Sequence, residues 1–439
     1  MEREGDQHYG QHADFVAAMA RYMPGSTLHH GLACGSRTVD KTAADGRGLV
    51  WPMAGSDLIP TLTIAERVGD LVRIPSVNPL QAGPTSGDEG EVALSTWLAE
   101  RAADLGADVT VDDVVDGRNN VYARFQGQTD RVITVDVHLD TVGVEHMTDP
   151  AFDGRIEDDR VYGRGSVDTK ASLAIVLSVL EEMRASGEQP VPTLNVVGTV
   201  AEEMGGLIGA AGYRDWLQEH GSRIDQMIVA EPTMCAPVHG HKGGVGLEVT
   251  VHGHAAHSSK PHLGQNAISG AARIITAIDA EQERLDSIPP PTAVGNGSVA
   301  VLEVSGGVAR NIIPPHCGLF AGRRCAPGED PDLIFEQLSE LVRQAAHPLK
   351  TDITLANGFA AAAFYQDPDS ALVQLLAELA GTAPDVASYG SNALQYAKVA
   401  SEIVVFGPGS IDQAHQAIEW IDIAEIDKAT AIYRTLLRT

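Results

Sequence analysis

Several side chains that bind divalent cations stand in this chain where apolar runs end. VITVDVHLDTV (132–142) closes on His138 and Asp140. Residues two apart in an extended chain point the same way, so Asp140 could accept the free ring N–H of His138 and fix its tautomer for a metal. Asp168 lies in GRGSVDTKAS, where Gly163 and Gly165 allow a tight backbone path. Its carboxylate could bridge two cations, or cap the helix that begins near Lys170. Glu202 and Glu203 follow LNVVGTVA directly. Neighbouring carboxylates at a buried strand end are costly to desolvate without cations. One of the two could ligate while the other serves as general base, its pKa raised by burial and its neighbour. A solvated pair capping the next helix is the plainer alternative. Glu231 in AEPTMC is stiffened by Pro232, and His415 in VVFGPGSIDQAH follows a Gly-Pro-Gly turn. Each alone could be an ordinary loop residue.

Taken together, His138, Asp168, Glu203, Glu231 and His415 are two imidazoles and three carboxylates. That set suits a pair of zinc ions, with other divalent ions such as Mn2+ or Co2+ also possible. Two cations roughly 3.5 to 4 Å apart can lower the pKa of a shared water and clamp the oxygens of a hydrolytic transition state.

The elements that must deliver these groups are legible in the pattern. From residue 61 the sequence predicts helices at 64–72 and 90–105, strands at 109–114, 120–125 and 131–137, a helix at 170–186, a strand at 193–200, a helix at 207–219 and a strand at 225–229. Buried parallel strands read as apolar runs, and ligands gather beyond their carboxyl ends. The rhythm then changes: strand 245–252, helix 266–284, strands 298–304 and 319–324, helix 331–346 and strand 351–355. Helix 370–380, strand 403–406 and helix 423–437 restore the first pattern. The expected fold is α/β, a discontinuous catalytic domain (61–238 and 356–439) with a mixed, mostly parallel sheet covered by helices. A βαββαβ, ferredoxin-like lid or dimerisation domain (239–355) is inserted in it.

Composition narrows the function classes. At 439 residues with 44% hydrophobic content, the chain is long enough for two domains. A net charge of -28 speaks against nucleic-acid binding. No apolar run approaches the roughly 18 residues of a membrane helix, and no secretory signal is visible at the start. Cys34, Cys235, Cys317 and Cys325 lack metal-binding spacing and read as free thiols of a cytoplasmic protein. Residues 1–60 read as an extension rich in Gly, His and small polar residues, with one helix at 13–22. His8, His12, His29 and His30 show no regular ligand pattern, and a start at Met53 is an alternative beginning.

HLD, GRGSVDTK, AEE, AEPT and GPGSIDQAH, in this order, resemble the co-catalytic metallopeptidase family of acetylornithine deacetylase, succinyl-diaminopimelate desuccinylase, aminoacylase and glutamate carboxypeptidase. The resemblance covers about 61–438. It implies that His138 and Glu231 hold one metal, that Glu203 and His415 hold the other, and that Asp168 bridges them. Asp140 would orient His138, and Glu202 would be the general base and acid. HGHAAHSSKPHLGQNAI is similar to the family segment whose histidine, here His257, stabilises the oxyanion, often across a dimer interface. His252, His254 and His262 read as structural or exposed. GGVARNIIPPHCGLFAGRR resembles the substrate-binding stretch, with Asn311 and Arg324 holding the substrate, Arg324 through a carboxylate; Arg310 and Arg323 read as solvated. One departure stands out: members commonly carry Gly-Thr and an acid where this chain has Gly390, Ser391 and Asn392. The amide weighs against a cationic substrate side chain and places Ser391 and Asn392 among the candidate substrate contacts.

The leading expectation is hydrolysis of a C–N bond in a small carboxylated molecule, as in deacylation of an N-acyl amino acid, with metal-bound water deprotonated by Glu202. A homodimer through the inserted domain is expected, with no nucleic-acid or membrane partner. A dipeptide carboxypeptidase, a hydrolytic deaminase of an aromatic amine such as an aminobenzoate, and a metal-binding scaffold without catalysis are the alternatives.

Overall fold

The computed structural model describes residues 51, 58–86, 90–115 and 117–439. The expected helix at 13–22 and the four N-terminal histidines lie outside them, as does Cys34. In chain order the first elements are α1 (Thr61–Val72), α2 (Val92–Asp104), β1 (Asp108–Val115), β2 (Arg118–Phe125), β3 (Val132–His138), β4 (Ile156–Glu157), β5 (Arg160–Tyr162), α3 (Ala171–Ser186), β6 (Thr193–Thr199), α4 (Ile208–Glu219) and β7 (Ile224–Val229). Then come β8 (Val238–His241), β9 (Gly243–His252), α5 (Ala267–Asp286), β10 (Ser298–Gly306), β11 (His316–Cys325), α6 (Pro331–Ala346), β12 (Lys350–Ala361) and β13 (Phe364–Tyr365). The chain ends with α7 (Ala371–Ala380), β14 (Asp385–Ala387), α8 (Ala393–Tyr396), β15 (Ala400–Val405), β16 (Trp420–Asp422) and α9 (Ile423–Leu436).

The described residues form two compact units. The larger takes the chain up to His239 together with Gln366–Asp385 and Ser391–Thr439. Its sheet has the strand order β1-β2-β6-β3-β7-β15. The pairs β6–β3, β3–β7 and β7–β15 are parallel, and β1–β2 and β2–β6 are antiparallel. β3 is buried along its whole length, as a central strand covered on both faces must be. On β2, Val121, Ala123 and Phe125 join the core that contains α1, α2 and α3, while Tyr122 faces Tyr213 and Trp216 of α4. That alternation follows from the two-residue period of a strand. α3 is buried continuously from Ala171 to Met183, which accounts for its weak helical amphipathicity in sequence. Trp51, within the stretch expected as an extension, is buried against Trp97 at a 5.0 Å ring separation.

The register aligns the carboxyl ends of the parallel strands. His138 lies opposite Thr199, the last residue of β6, and Asp136 lies opposite Val229, the last residue of β7. Val405 ends β15 beside Val229. The loops that leave these strands therefore emerge at one edge.

The smaller unit comprises Gly240–Tyr365 and Val386–Gly390. It is a separate four-stranded antiparallel sheet, ordered β10-β11-β9-β12, with α5 and α6 packed on it. Val245, Leu247, Val249 and Val251 alternate into its core. Asn266 caps α5 by accepting from the Ser269 N–H, and Asp330 caps α6 ahead of Pro331. β12 runs on to Ala361, past the end expected at residue 355. Its register with β9 is interrupted between Leu355 and Ala360 and resumes at Ala360 opposite Val245.

No helix among the described residues is long and apolar enough to cross a membrane. Cys235, Cys317 and Cys325 are free and buried.

Candidate active site

The edge where β3, β6, β7 and β15 end gathers all five candidate ligands. His138 is the last residue of β3, and its Nε2 lies 2.9 Å from Asp168 Oδ1. The other Asp168 oxygen, Oδ2, is 3.2 Å from His415 Nε2. Asp168 thus offers one oxygen to each imidazole, the arrangement a bridging carboxylate requires. His415 Nε2 is also 3.0 Å from Glu203. Ligand atoms of His138, Asp168 and Glu203 lie within 4.8 Å of one another, and so do those of His138, Glu202 and Glu231.

The capping alternatives are not what the structure shows. α3 begins at Ala171 without a side-chain cap, and Asp168 has extended rather than helical torsions. α4 begins at Ile208, also without a side-chain cap, so neither Glu202 nor Glu203 caps it.

Asp140 differs from expectation in one respect. The contact to His138 Nδ1 comes from the main-chain carbonyl of Asp140 at 2.9 Å, whereas its carboxylate is 3.7 Å away. That carbonyl accepts the ring N–H and leaves Nε2 free to ligate. The carboxylate instead accepts the backbone N–H of Glu202 on Oδ1 and of Glu203 on Oδ2, each at 3.0 Å. Asn78, not among the candidates from sequence, donates from Nδ2 to Asp140 Oδ2 at 2.8 Å and to the Met204 carbonyl at 2.7 Å. Glu91 is a second omission: it accepts the Ala201 N–H at 3.2 Å and is held by Arg118. Asn78 stands alone between Val77 and Pro79, and Glu91 opens the region of α2, so neither carried a local signal.

The electrostatics call for positive charge. Burial, with the neighbouring carboxylates Glu203, Asp140 and Asp168 adding to it, pushes Glu202 well above the usual glutamate range. Burial, then Glu202 and Asp168, does the same to Glu231, and burial and Asp168 raise Glu203. Burial alone would lower the His138 imidazole, but Asp168, Glu231 and Glu202 outweigh it and hold its pKa well above the usual value. Hydrogen bonds to Asp168 and Glu203 raise His415 to about 10. Burial works against ionisation of Asp168 too, yet His138 and His415 hold it below the ordinary carboxylate range. Among the described residues, Glu231 Oε1 is buried without a hydrogen-bond partner. An orphaned carboxylate oxygen beside four further N and O donor groups fits divalent cations, which would satisfy that oxygen and offset the crowded negative charge. His138, Glu231, Asp168, Glu203 and His415 are the residues that could hold them.

Ser391 and Asn392 are buried. Asn392 Nδ2 donates to Asp136 Oδ2 and to Thr199 Oγ1, both at 3.0 Å, and Tyr396 donates to the same Asp136 oxygen. Its amide is therefore engaged beneath the strand ends, two residues before His138 on β3. Ser391 Oγ accepts the Ala393 N–H.

In the smaller unit, His257, Asn311 and Arg324 are exposed. His257 Nδ1 accepts the Ser259 N–H at 3.2 Å, with Ser259 Oγ 2.8 Å away. A neutral imidazole that accepts at Nδ1 donates at Nε2. Arg324 lies on β11 with its guanidinium open, whereas Arg323 is buried and paired with Glu329 at 2.6 Å, contrary to the solvated role expected of it. The alternation of β11 accounts for the difference between the two arginines. His254 and His262 are exposed, and His252 pairs with Asp352 at 2.6 Å.

Comparison with known proteins adds an independent line. The model of Peptidase family M20/M25/M40 matches residues 134–439. An acetylornithine deacetylase of Myxococcus xanthus is 32% identical over 313 residues, covering 67% of this chain and 76% of its own. Another, from Aliivibrio fischeri, is 28% identical over 385 residues, covering 82% of this chain and 95% of its own. Among solved structures, a tripeptidase of Staphylococcus aureus shares the fold with a TM-score of 0.69 at 21% identity, covering 87% of this chain and 99% of that one.

Proposed function

The chain belongs to peptidase family M20/M25/M40, metallohydrolases acting on C–N bonds, and from that premise we propose that it deacylates an N-acyl amino acid at a two-metal centre. The observation that carries the reading is Asp168, placed between His138 and His415 with one oxygen toward each.

In this reading His138 and Glu231 hold one ion, His415 and Glu203 the other, and Asp168 bridges. Bound divalent ions would supply Lewis acidity, lowering the pKa of a water and polarising the scissile carbonyl. Zinc suits the donor set, with Mn2+ or Co2+ as alternatives. Glu202 shares the same donor cluster, so it could ligate or act as base. We assign it the base because the family resemblance of the AEE motif gives this glutamate that role, and a carboxylate beside the ligand Glu203 could take a proton from water and return it to the leaving nitrogen. The Asp140 carboxylate fixes the backbone of both glutamates and so holds that base in place. His257 is assigned the oxyanion donor, through the Nε2–H left when Nδ1 accepts from Ser259. Arg324 offers a bidentate fork for the substrate carboxylate, with Asn311 as a further polar contact.

The smaller unit is read as a ferredoxin-like lid that also dimerises. Its edge strand β10 exposes Leu302 and Val304, 64% and 59% accessible, an apolar edge of the kind that pairs with a second copy. The curated relatives act on acetylornithine by name; the Asn392 amide, expected among the substrate contacts, donates to Asp136 and Thr199 instead and carries no argument about the substrate's side chain.

The test is metal analysis joined to a turnover screen of N-acyl amino acids, dipeptides and aromatic amines. Hydrolysis of an N-acyl amino acid above the other two classes supports the proposal, and preferential dipeptide cleavage or ammonia release from an aromatic amine replaces it.

A further inference from the structure

The two loops that bring Asp168 and His415 together are joined by a buried ion pair. Arg164 and Glu419 are each 1% exposed, and Arg164 Nη1 donates to Glu419 Oε2. The contacts cross between the loops. Arg164 belongs to the loop of Asp168, and its Nη2 donates to the carbonyl of Gln416, next to His415, at 3.3 Å. Glu419 belongs to the loop of His415, and its Oε1 accepts the N–H of Val167, next to Asp168, at 3.2 Å. The Gly163 N–H also donates to the Glu419 carbonyl at 2.9 Å. Just beyond, β5 and β16 pair through Tyr162 and Trp420. Each charged side chain therefore grips the main chain beside the other loop's candidate ligand.

Stability alone is a poor reason for such a pair. Desolvating a guanidinium and a carboxylate offsets most of their attraction, and apolar residues of similar volume commonly serve the fold as well or better. His415 moreover has φ 61, a left-handed conformation that a residue with a β-carbon rarely adopts unless its surroundings hold it. Asp168 Oδ2 and His415 Nε2 stand 3.2 Å apart, so a small relative shift of the two loops would change the spacing of the donors that each supplies.

We propose that Arg164 and Glu419 form a clasp that sets the separation of Asp168 and His415 and thereby the affinity of the second metal position. Both are positioning residues, since neither is placed among the ligands. The inference rests on the two-metal reading above. It extends that reading by making one of the two positions dependent on a charge pair outside the ligand set.

The experiment compares the full chain with the double variant Arg164→Met/Glu419→Met and with Glu419→Gln. Zinc alone is titrated against a chromophoric chelator, stoichiometry is measured by elemental analysis, and melting temperature is recorded on the metal-free proteins. The double variant removes both charges together, so no unpaired ion is left buried. The expected result is a metal-free melting temperature close to that of the unaltered chain, one zinc bound as before, and the second bound at least tenfold more weakly. Glu419→Gln, which keeps the size and one acceptor oxygen, should weaken the second zinc in the same direction by a smaller factor. Wild-type affinity for both ions in the double variant would overturn the clasp; if that variant does not fold, wild-type affinity for both ions in Glu419→Gln does so. An unaltered chain that binds no zinc would instead overturn the two-metal reading itself, and the clasp with it.

Discussion

The carboxylate of Asp140 accepts the backbone N–H groups of both Glu202 and Glu203, one on each oxygen at 3.0 Å. A residue expected to orient His138 by its side chain does so by its main-chain carbonyl. Its carboxylate is thereby committed to the loop that carries the candidate base and a candidate ligand.

Asp140→Asn leaves one acceptor oxygen and turns the other position into a donor facing an N–H. The loop of Glu202 should shift while His138 keeps its carbonyl contact. We expect kcat to fall by ~100-fold or more, as for loss of correctly placed acid–base catalysis, with the first metal retained. Kinetics combined with elemental analysis checks this, and an unchanged kcat would show that the loop does not need the carboxylate.

The raised pKa values of His415, His138, Glu202 and Glu231 have one sign in the metal-free protein. Each group holds its proton more tightly folded than unfolded, so their stabilisation is fullest below the ordinary values of 4.5 for glutamate and 6.5 for histidine. For His415 it is lost as pH rises toward about 10. Asp168 acts oppositely, but its contribution is lost only below the ordinary aspartate value of 3.8. Metal ions need neutral imidazoles and ionised carboxylates. Between about pH 6 and pH 8 the metal-free melting temperature should therefore fall, and the rise produced by added zinc should grow. Differential scanning measurements with and without zinc check both slopes; a zinc effect that shrinks with pH would contradict them.

Asn392→Asp sets a second carboxylate against Asp136, whose pKa burial already raises to about 6 although Thr199, Tyr396 and Asn392 hydrogen-bond it. A buried polar partner turned into a like charge belongs to the substitutions that cost about 2 kcal/mol or more. The loss should appear at pH 8 and shrink at pH 5, where one of the pair is protonated. Denaturant melts at the two pH values test this. A fully stable variant with altered substrate preference would return Asn392 to the role of substrate contact.

These relationships mark what the sequence could and could not disclose. His138, Asp168, Glu203, Glu231 and His415 were legible because each follows an apolar strand in a short motif, and parallel strands in register must discharge their loops at one edge. Asn78, Glu91, Arg164 and Glu419 act across 62 to 255 residues of chain, as in Asn78 with Asp140 and Arg164 with Glu419. Nothing at their own positions announces a partner so distant. Trp51 was obscured because one aromatic side chain in a Gly-rich stretch has no periodicity, although it packs on Trp97 and under Arg67.

Glu202 is proposed as the proton carrier of a metal-dependent C–N hydrolysis, and Glu202→Gln, assayed for metal content and for hydrolysis of the best N-acyl amino acid found in the screen, decides that role. The expected result is two divalent ions per chain, as in the unaltered protein, with kcat reduced by ~1,000-fold or more, near the upper end of what general acid–base catalysis contributes. Undiminished turnover in the metal-loaded variant would contradict it, and loss of one ion would reassign Glu202 from base to ligand.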